Sequence, residues 1–222
     1  MKGTLLVFEG IDGSGKATQA ALLAEKLKGQ GRRVLRISFP DYESDSSAPV
    51  KMYLAGDFGT DPGDVNAYAA SLFYAVDRFA SFRTKWKEFY ETGGIVIADR
   101  YVTSNMVHQM TKLADPAERR AFLHWLEDTE YEKLELPRPD AVFLLDMPLS
   151  VSESLVKARH EAGGSMDIHE SHLDYLRKCY DAYQELADMY GWHRIACTEG
   201  NAIRTPAAIS EDIARQIVID RK

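Results

Sequence analysis

Residues 5–19, LLVFEGIDGSGKATQ, set a short apolar run directly against a glycine-rich turn and then a helical pattern. From Gly10 the spacing is Gly-x-x-x-x-Gly-Lys, the signature of a loop that wraps phosphate oxygens between a strand and a helix. Gly10, Gly13 and Gly15 permit the sharp turns that aim consecutive backbone N–H groups at an anion, and the helix starting near Gly15 adds its positive end. Ile11, Asp12 and Ser14 complete the turn, and Lys16 supplies a mobile charge for the terminal phosphates. The next residue is Ala17, where a serine or threonine hydroxyl usually meets magnesium. Thr18 follows, but a shift of one residue turns a helical side chain by about 100°, so Thr18 is a poor substitute. Magnesium favours six oxygens and can rest on nucleotide phosphates, water and one or two carboxylates. Asp99, which ends the run IVIAD, is the first candidate for that carboxylate, and Asp146 is the second.

Outward from this loop, apolar runs alternate with longer helical patterns. Strands are expected over 4–8, 33–39, 95–98, 141–145 and 192–197, and helices over 15–29, 65–92, 104–113, 116–130, 149–161, 168–190 and 206–219. That alternation predicts an α/β chain of the P-loop NTPase fold, three layers α/β/α around a five-stranded parallel sheet. Ligands in such sheets bind at the carboxyl ends of the strands, where the polar stretches 9–18, 40–47 and 99–101 and the residue Asp146 fall. No repeat or low-complexity tract divides the 222 residues, so a single domain over 1–222 is expected.

Composition narrows the partners. Hydrophobic residues make up 45% and charged ones 27%, as in ordinary globular chains, and a net charge of -7 argues against a general grip on nucleic acid. Cys179 and Cys197 form neither a metal-binding pair nor a disulfide framework, which suits a reducing cytoplasm. The run 4–8 is too short for a signal peptide or a membrane span, so a soluble, cytoplasmic protein is expected. The six histidines show no zinc-like spacing with cysteine, and Tyr175, Tyr180, Tyr183 and Trp192 read as packing residues.

A phosphate loop serves GTPase switches, ATPase motors and kinases alike. The Asn/Thr-Lys-x-Asp segment that would read guanine is absent, and nothing in the chain signals the larger or oligomeric core of a motor. A small-molecule kinase needs a second phosphate site, a base-reading surface and arginines for the transition state. SLFYAVDR at 71–78 sets Phe73 and Arg78 on one helix, and DRYVTSN at 99–105 puts Arg100 beyond a strand end with Ser104 and Asn105 a turn later. VKARHEAGGSMDIHE at 156–170 joins basic residues to the break Gly163-Gly164 and reads as a mobile lid over about 157–169. Each stretch has a plainer alternative: Phe73 as core, Asp77-Arg78 as a surface pair, the basic segment as a solvated loop.

Taken in order, FEGIDGSGK-TQ, FP at 39–40, LFYA-DR, DRY--SN, the LPRPD approach to LLD, and the basic segment before DIHE resemble the thymidylate kinases over nearly the whole chain. The resemblance implies transfer of the γ-phosphoryl group of ATP to dTMP, with Mg2+. It implies that Phe73 stacks on thymine, that Arg78 donates to a base carbonyl, and that Ser104 and Asn105 lie on the base side. Arg100 would hold the acceptor phosphate, Asp12 would lie near the sugar and the reacting phosphate, and Lys16 with Arg159 would neutralise charge during transfer. The acceptor would enter beneath Phe39, Pro40 and Tyr42, with His108 near the sugar edge. A homodimer is implied as well. The chain departs from the family pattern at Ala17, at Asp41 and Glu43 where an arginine is common, and at His108 where a tyrosine is common. Gly13 rather than arginine follows Asp12, which turns attention to Arg159 in the lid. Two other readings stay open: a kinase for another monophosphate or a deoxynucleoside, and a nucleotide-binding regulator without chemistry.

Overall fold

The computed structural model describes residues 2–161, 173–200 and 202–217, and for 158–161 and 173 the backbone alone. Its centre is a five-stranded sheet in the order β2-β3-β1-β4-β5, built from β1 (Thr4–Glu9), β2 (Val34–Ser38), β3 (Ile95–Asp99), β4 (Ala141–Asp146) and β5 (His193–Ala196). All neighbours run parallel. Strands covered on both faces read as unbroken apolar runs. Leu5 to Phe8, Ile95 to Ala98 and Val142 to Leu145 are accordingly buried. β1 lies between β3 and β4, where the strand order reverses, and Phe8 and Ser38 both pair with Asp99. Three chain segments therefore leave the sheet side by side at the position where α/β sheets bind ligands.

Around the sheet, α1 (Lys16–Gly29) packs on β1, β2 and β3 and against α9 (Pro206–Gln216), which also covers β5. α5 (Val102–Met110) packs against α3 (Ala67–Ser81), α6 (Pro116–Glu127) and α8 (Leu173–Tyr190). α7 (Leu149–Glu161) completes this set. No helix among the described residues is long and apolar enough to cross a membrane.

The structure departs from the expected elements in four places. The stretch after Ser47, to which no element was assigned from the sequence, forms α2 (Ala48–Ala55), with proline in its first turn and Gly56 in the left-handed region ending it. The helix expected over 65–92 is one path with a defect: α3 starts at an Asn66 cap bonded to the Ala69 N–H at 2.9 Å, passes through a π-helical turn (Phe82–Trp86), and resumes as α4 (Lys87–Glu91). α6 likewise runs into a π-helical turn (Asp128–Lys133). A small antiparallel pair, β6 (Thr198–Glu199) and β7 (Ala202–Ile203), was not anticipated. Of the expected lid at 157–169, the α7 backbone reaches Glu161; residues 162–169 and the side chain of Arg159 lie outside the described residues.

Candidate active site

The glycine-rich turn adopts backbone angles that side-chain-bearing residues avoid. Gly10 has φ 144°, and a Cβ there would sit 2.7 Å from Ser14 Oγ and 2.9 Å from the Leu145 carbonyl oxygen. Gly15, in the left-handed region at φ 90°, caps α1 without a side-chain bond, leaving the first N–H groups of the helix for a ligand. Lys16 is buried and curls over the loop, donating to the carbonyl oxygens of Gly10 at 2.9 Å and Ile11 at 3.0 Å. Burial and then the nearby Arg100 charge lower its pKa to about 8, against the pull of Asp12, Asp99 and Glu9. Ser152 on α7 donates to the Asp12 carbonyl and so ties the helix leading to the lid onto the loop.

Arg100 leaves β3 in the left-handed region at φ 69°, unusual for a residue with a side chain, and its N–H bonds the Phe8 carbonyl at 3.0 Å. This bend sends the guanidinium back to the phosphate loop. Nη2 donates to Asp12 Oδ1 at 2.5 Å, and Nη1 to the Tyr183 hydroxyl at 3.1 Å, with Ser104 Oγ and His108 Nε2 each at 3.4 Å. On its other side the His108 ring sets Nδ1 3.1 Å from the Tyr175 hydroxyl, so the imidazole bridges α5 to α8 beside Arg100. Burial works against the Asp12 charge, yet Arg100 and then Lys16 outweigh it and hold the carboxyl well below the usual carboxylate range.

Beneath this pair lies Glu9, fully buried at the end of β1. It accepts from Thr103 Oγ1 at 2.6 Å, Ser104 Oγ at 2.8 Å, the Tyr183 hydroxyl at 3.1 Å and the Tyr101 N–H at 3.3 Å. Tyr183, expected from the sequence only to pack, is buried and also bonds Glu9 and Arg100, and Glu9 was given no role from the sequence. Glu9 is quoted inside the phosphate-loop motif, and its acidity at a buried strand end was the available signal. Ser104, expected on the base side, lines the cavity with its hydroxyl donated to Glu9.

One cavity of about 390 Å³ runs from Asp12, Lys16, Ala17 and Thr18, past Asp99 and Arg100, to Phe39, Pro40, Tyr42, Arg78, Asn105 and His108. The expected aromatic is corrected by one position. Phe73 is absent from the lining and packs on Phe58 at 5.5 Å and Tyr53 at 6.4 Å, while Tyr74 faces the cavity. Adjacent helical residues point about 100° apart, so the half-buried Phe73 packs on Tyr53 and Phe58 while Tyr74 turns to the cavity. Asp77 and Arg78 are both 1% exposed, which removes the surface-pair alternative. Asp77 accepts from the Asp41 N–H at 2.8 Å and Ser46 Oγ at 2.7 Å, fastening the loop at 40–47 to α3. The Asp41 carboxylate turns outward to Lys85 at 2.5 Å.

Arg78 faces Glu130 across the end of the cavity, with Nε to Oε2 at 2.6 Å and Nη2 to Oε1 at 2.5 Å. Both side chains are essentially without solvent contact. Burial opposes the Arg78 charge, but Glu130 more than restores it. Among the described residues no cluster of three or more His, Cys, Asp or Glu side chains is placed to hold a metal; Asp99 and Asp12 are the carboxylates that share the cavity with Lys16 and Ala17, and Asp12 is paired with Arg100. Removing one partner of a buried pair strands the other charge. Glu130→Ala is expected to lower stability by about 3–5 kcal/mol in urea unfolding, and a loss below about 1 kcal/mol would show that Arg78 finds other compensation.

The comparisons agree with this geometry. Residues 8–203 match the family model described as thymidylate kinase. A Pyrococcus abyssi protein named "Probable thymidylate kinase" is 33% identical over 213 residues, covering 96% of this chain and 95% of its own. A Mycobacterium tuberculosis thymidylate kinase is 30% identical over 191 residues, 85% and 87% of the two chains. A solved thymidylate kinase from Candida albicans shares the fold, with a TM-score of 0.72 at 21% identity over 96% of this chain and 90% of that one. With the phosphate loop, the Asp12–Arg100 pair and the base-sized cavity in place, the chain belongs to the thymidylate kinase family.

Proposed function

We propose that the chain transfers the γ-phosphoryl group of ATP to dTMP, giving dTDP and ADP, as one kinase domain acting in the cytoplasm. The observation that carries this reading is the continuity of a single cavity from Lys16 and the loop N–H groups to Tyr74, Arg78 and Asn105. That layout suits a donor phosphate chain at one end and a nucleobase at the other, with Arg100 and Asp12 between them. Catalysis is then positioning and charge stabilisation, without a covalent intermediate on the protein.

The loop N–H groups and Lys16 would hold the β- and γ-phosphates of ATP; Gly15, which lines the cavity with open space where a Cβ would stand, fits the close approach of such a group. Magnesium would rest on the phosphates, water and Asp99, a donor set that needs no hydroxyl at Ala17. When bound, it neutralises charge on the transferring phosphoryl. Arg100 would present two parallel donors to the acceptor phosphate, Asp12 would keep Arg100 oriented, and Tyr74 would stack on the base. Arg159, on α7, would bring a further cation from the lid. The attacking atom is an oxygen of the acceptor's phosphate, which is largely ionised at neutral pH, so no general base is required.

A second copy of the chain would cover α3. Tyr68, Leu72, Val76 and Phe79 recur at helical spacing and are 40%, 46%, 54% and 38% exposed, an apolar stripe on the face opposite the buried residues of the helix.

The deciding experiment offers dTMP, dUMP, dCMP, AMP, GMP and thymidine separately with ATP and magnesium, and identifies each product. Preference for dTMP with dTDP formed supports the reading; preference for a purine monophosphate or for thymidine overturns it. Lys16 generates a pH expectation. Its pKa of about 8 should rise beside phosphates, so ATP binding takes up a proton at high pH. By calorimetry, ATP affinity is expected to be flat below about pH 7 and to weaken by up to about tenfold per unit above pH 8; a flat profile to pH 9.5 would count against Lys16 as the phosphate cation. Finally, Leu72→Glu with Val76→Glu is expected to reduce the mass in light scattering from a dimer to the 25.0 kDa monomer.

A further inference from the structure

Among the polar side chains that line the cavity, Arg78 and Asn105 share a partner outside it, and they differ in kind. Arg78 can only donate. Asn105 can donate through its amide nitrogen or accept through its oxygen, so its role depends on what fixes the amide. Its Nδ2 donates to the Ser71 carbonyl at 3.2 Å and to Glu130 Oε1 at 3.4 Å. Both partners are acceptors only, so the amide has one chemically consistent orientation, with Oδ1 left for the cavity that Asn105 lines.

Glu130 is the residue common to both readers. Through Oε2 and Oε1 it also takes the Nε and one Nη2 donor of Arg78, leaving Nη1, bonded only at 3.5 Å to the Tyr101 carbonyl, on the cavity side. Its carboxylate cancels the Arg78 charge at a site with no solvent access, so that end of the cavity favours a neutral ring over a second phosphate. The placement itself is built in. Glu130 sits in the π-helical turn that follows α6, where Leu134 N–H reaches back to the Thr129 carbonyl at 2.9 Å. Such turns rotate one side chain out of helical phase and occur often at functional sites.

The geometry points to Glu130 as a positioning residue that sets base selectivity: by holding Arg78 as donor and Asn105 as acceptor, it requires a ring edge with an acceptor next to a donor. That is the edge of a 4-oxopyrimidine, with O4 accepting and N3–H donating. The 4-aminopyrimidine of dCMP presents the reverse pattern, a donor where Arg78 donates and an acceptor where Asn105 accepts. This inference rests on the dTMP reading and deepens it.

The test compares kcat/KM for dUMP and dCMP, which both lack the 5-methyl group and so differ in edge polarity alone, with dTMP as the reference acceptor. In Glu130→Gln the side chain offers one acceptor and one donor, and Arg78 and Asn105 can no longer both be satisfied. The dUMP-to-dCMP ratio is expected to fall by about tenfold or more, because discrimination by a hydrogen-bonding site is lost when its partners are no longer held in place. Glu130→Asp keeps the negative charge but draws the carboxylate back from both Arg78 and Asn105, which share Oε1; it should lower the same ratio, and it carries the test where Glu130→Gln does not fold. An unchanged ratio with both acceptors slowed alike means a purely structural role and overturns the inference while the dTMP reading stands. A wild-type enzyme that prefers dCMP to dTMP overturns both.

Discussion

The site hangs on one buried anion. Glu9 ends the central strand with no contact to solvent, and a carboxylate in that position is tolerable only if its oxygens are filled by donors. The donors come from the backbone at Tyr101, the hydroxyls of Thr103 and Ser104 at the start of α5, and Tyr183 on α8. One side chain thereby joins the central strand to two helices that the chain reaches only much later. Tyr183 spends its hydrogen on Glu9 and offers its lone pair to Arg100. The arginine is thus aimed by a residue it does not touch.

A second principle is the pairing of every buried cation near the cavity. Lys16 lies on two carbonyl oxygens, Arg100 on Asp12, and Arg78 on Glu130. The first two pairings are made with groups of the phosphate loop itself, so an incoming phosphate exchanges partners instead of meeting bare charges. The third is made with a residue far from the phosphates and has no reason to break. A chain with a net charge of -7 can hold polyanions because positive charge is concentrated where it is internally matched.

Much of the fold was legible because parallel strands buried on both faces leave unbroken apolar runs, as IVIAD and AVFLLD do, and because Gly10, Gly13 and Gly15 announce the first crossover. The glycine-rich loop was legible because its residues, Gly10 to Lys16, are contiguous. The base half was harder. Phe73 and Tyr74 are both aromatic, and which one meets the ligand is a matter of helical phase, set by the Asn66 cap and by the burial of Asp77 and Arg78. Glu130 pairs with a residue 52 positions away and owes its direction to a π-helical turn, which no periodicity reveals. α2 was missed because only Val50 and Tyr53 of its eight residues are buried, too few to make a pattern.

Asp77 and Arg78 are neighbours in sequence with opposite obligations, one to the loop at 40–47 and the other to Glu130. The apolar stripe of Tyr68, Leu72, Val76 and Phe79 runs along the same helix on a third azimuth. Side-chain identities along α3 can drift away from Tyr74, Asp77 and Arg78, but its length between Asn66 and the π-helical turn cannot. Adding or deleting one residue would rotate everything downstream by about 100° and break loop, base site and outer stripe together. Over evolutionary time, insertions in this family member would be tolerated in the loops flanking α3 and purged from within it.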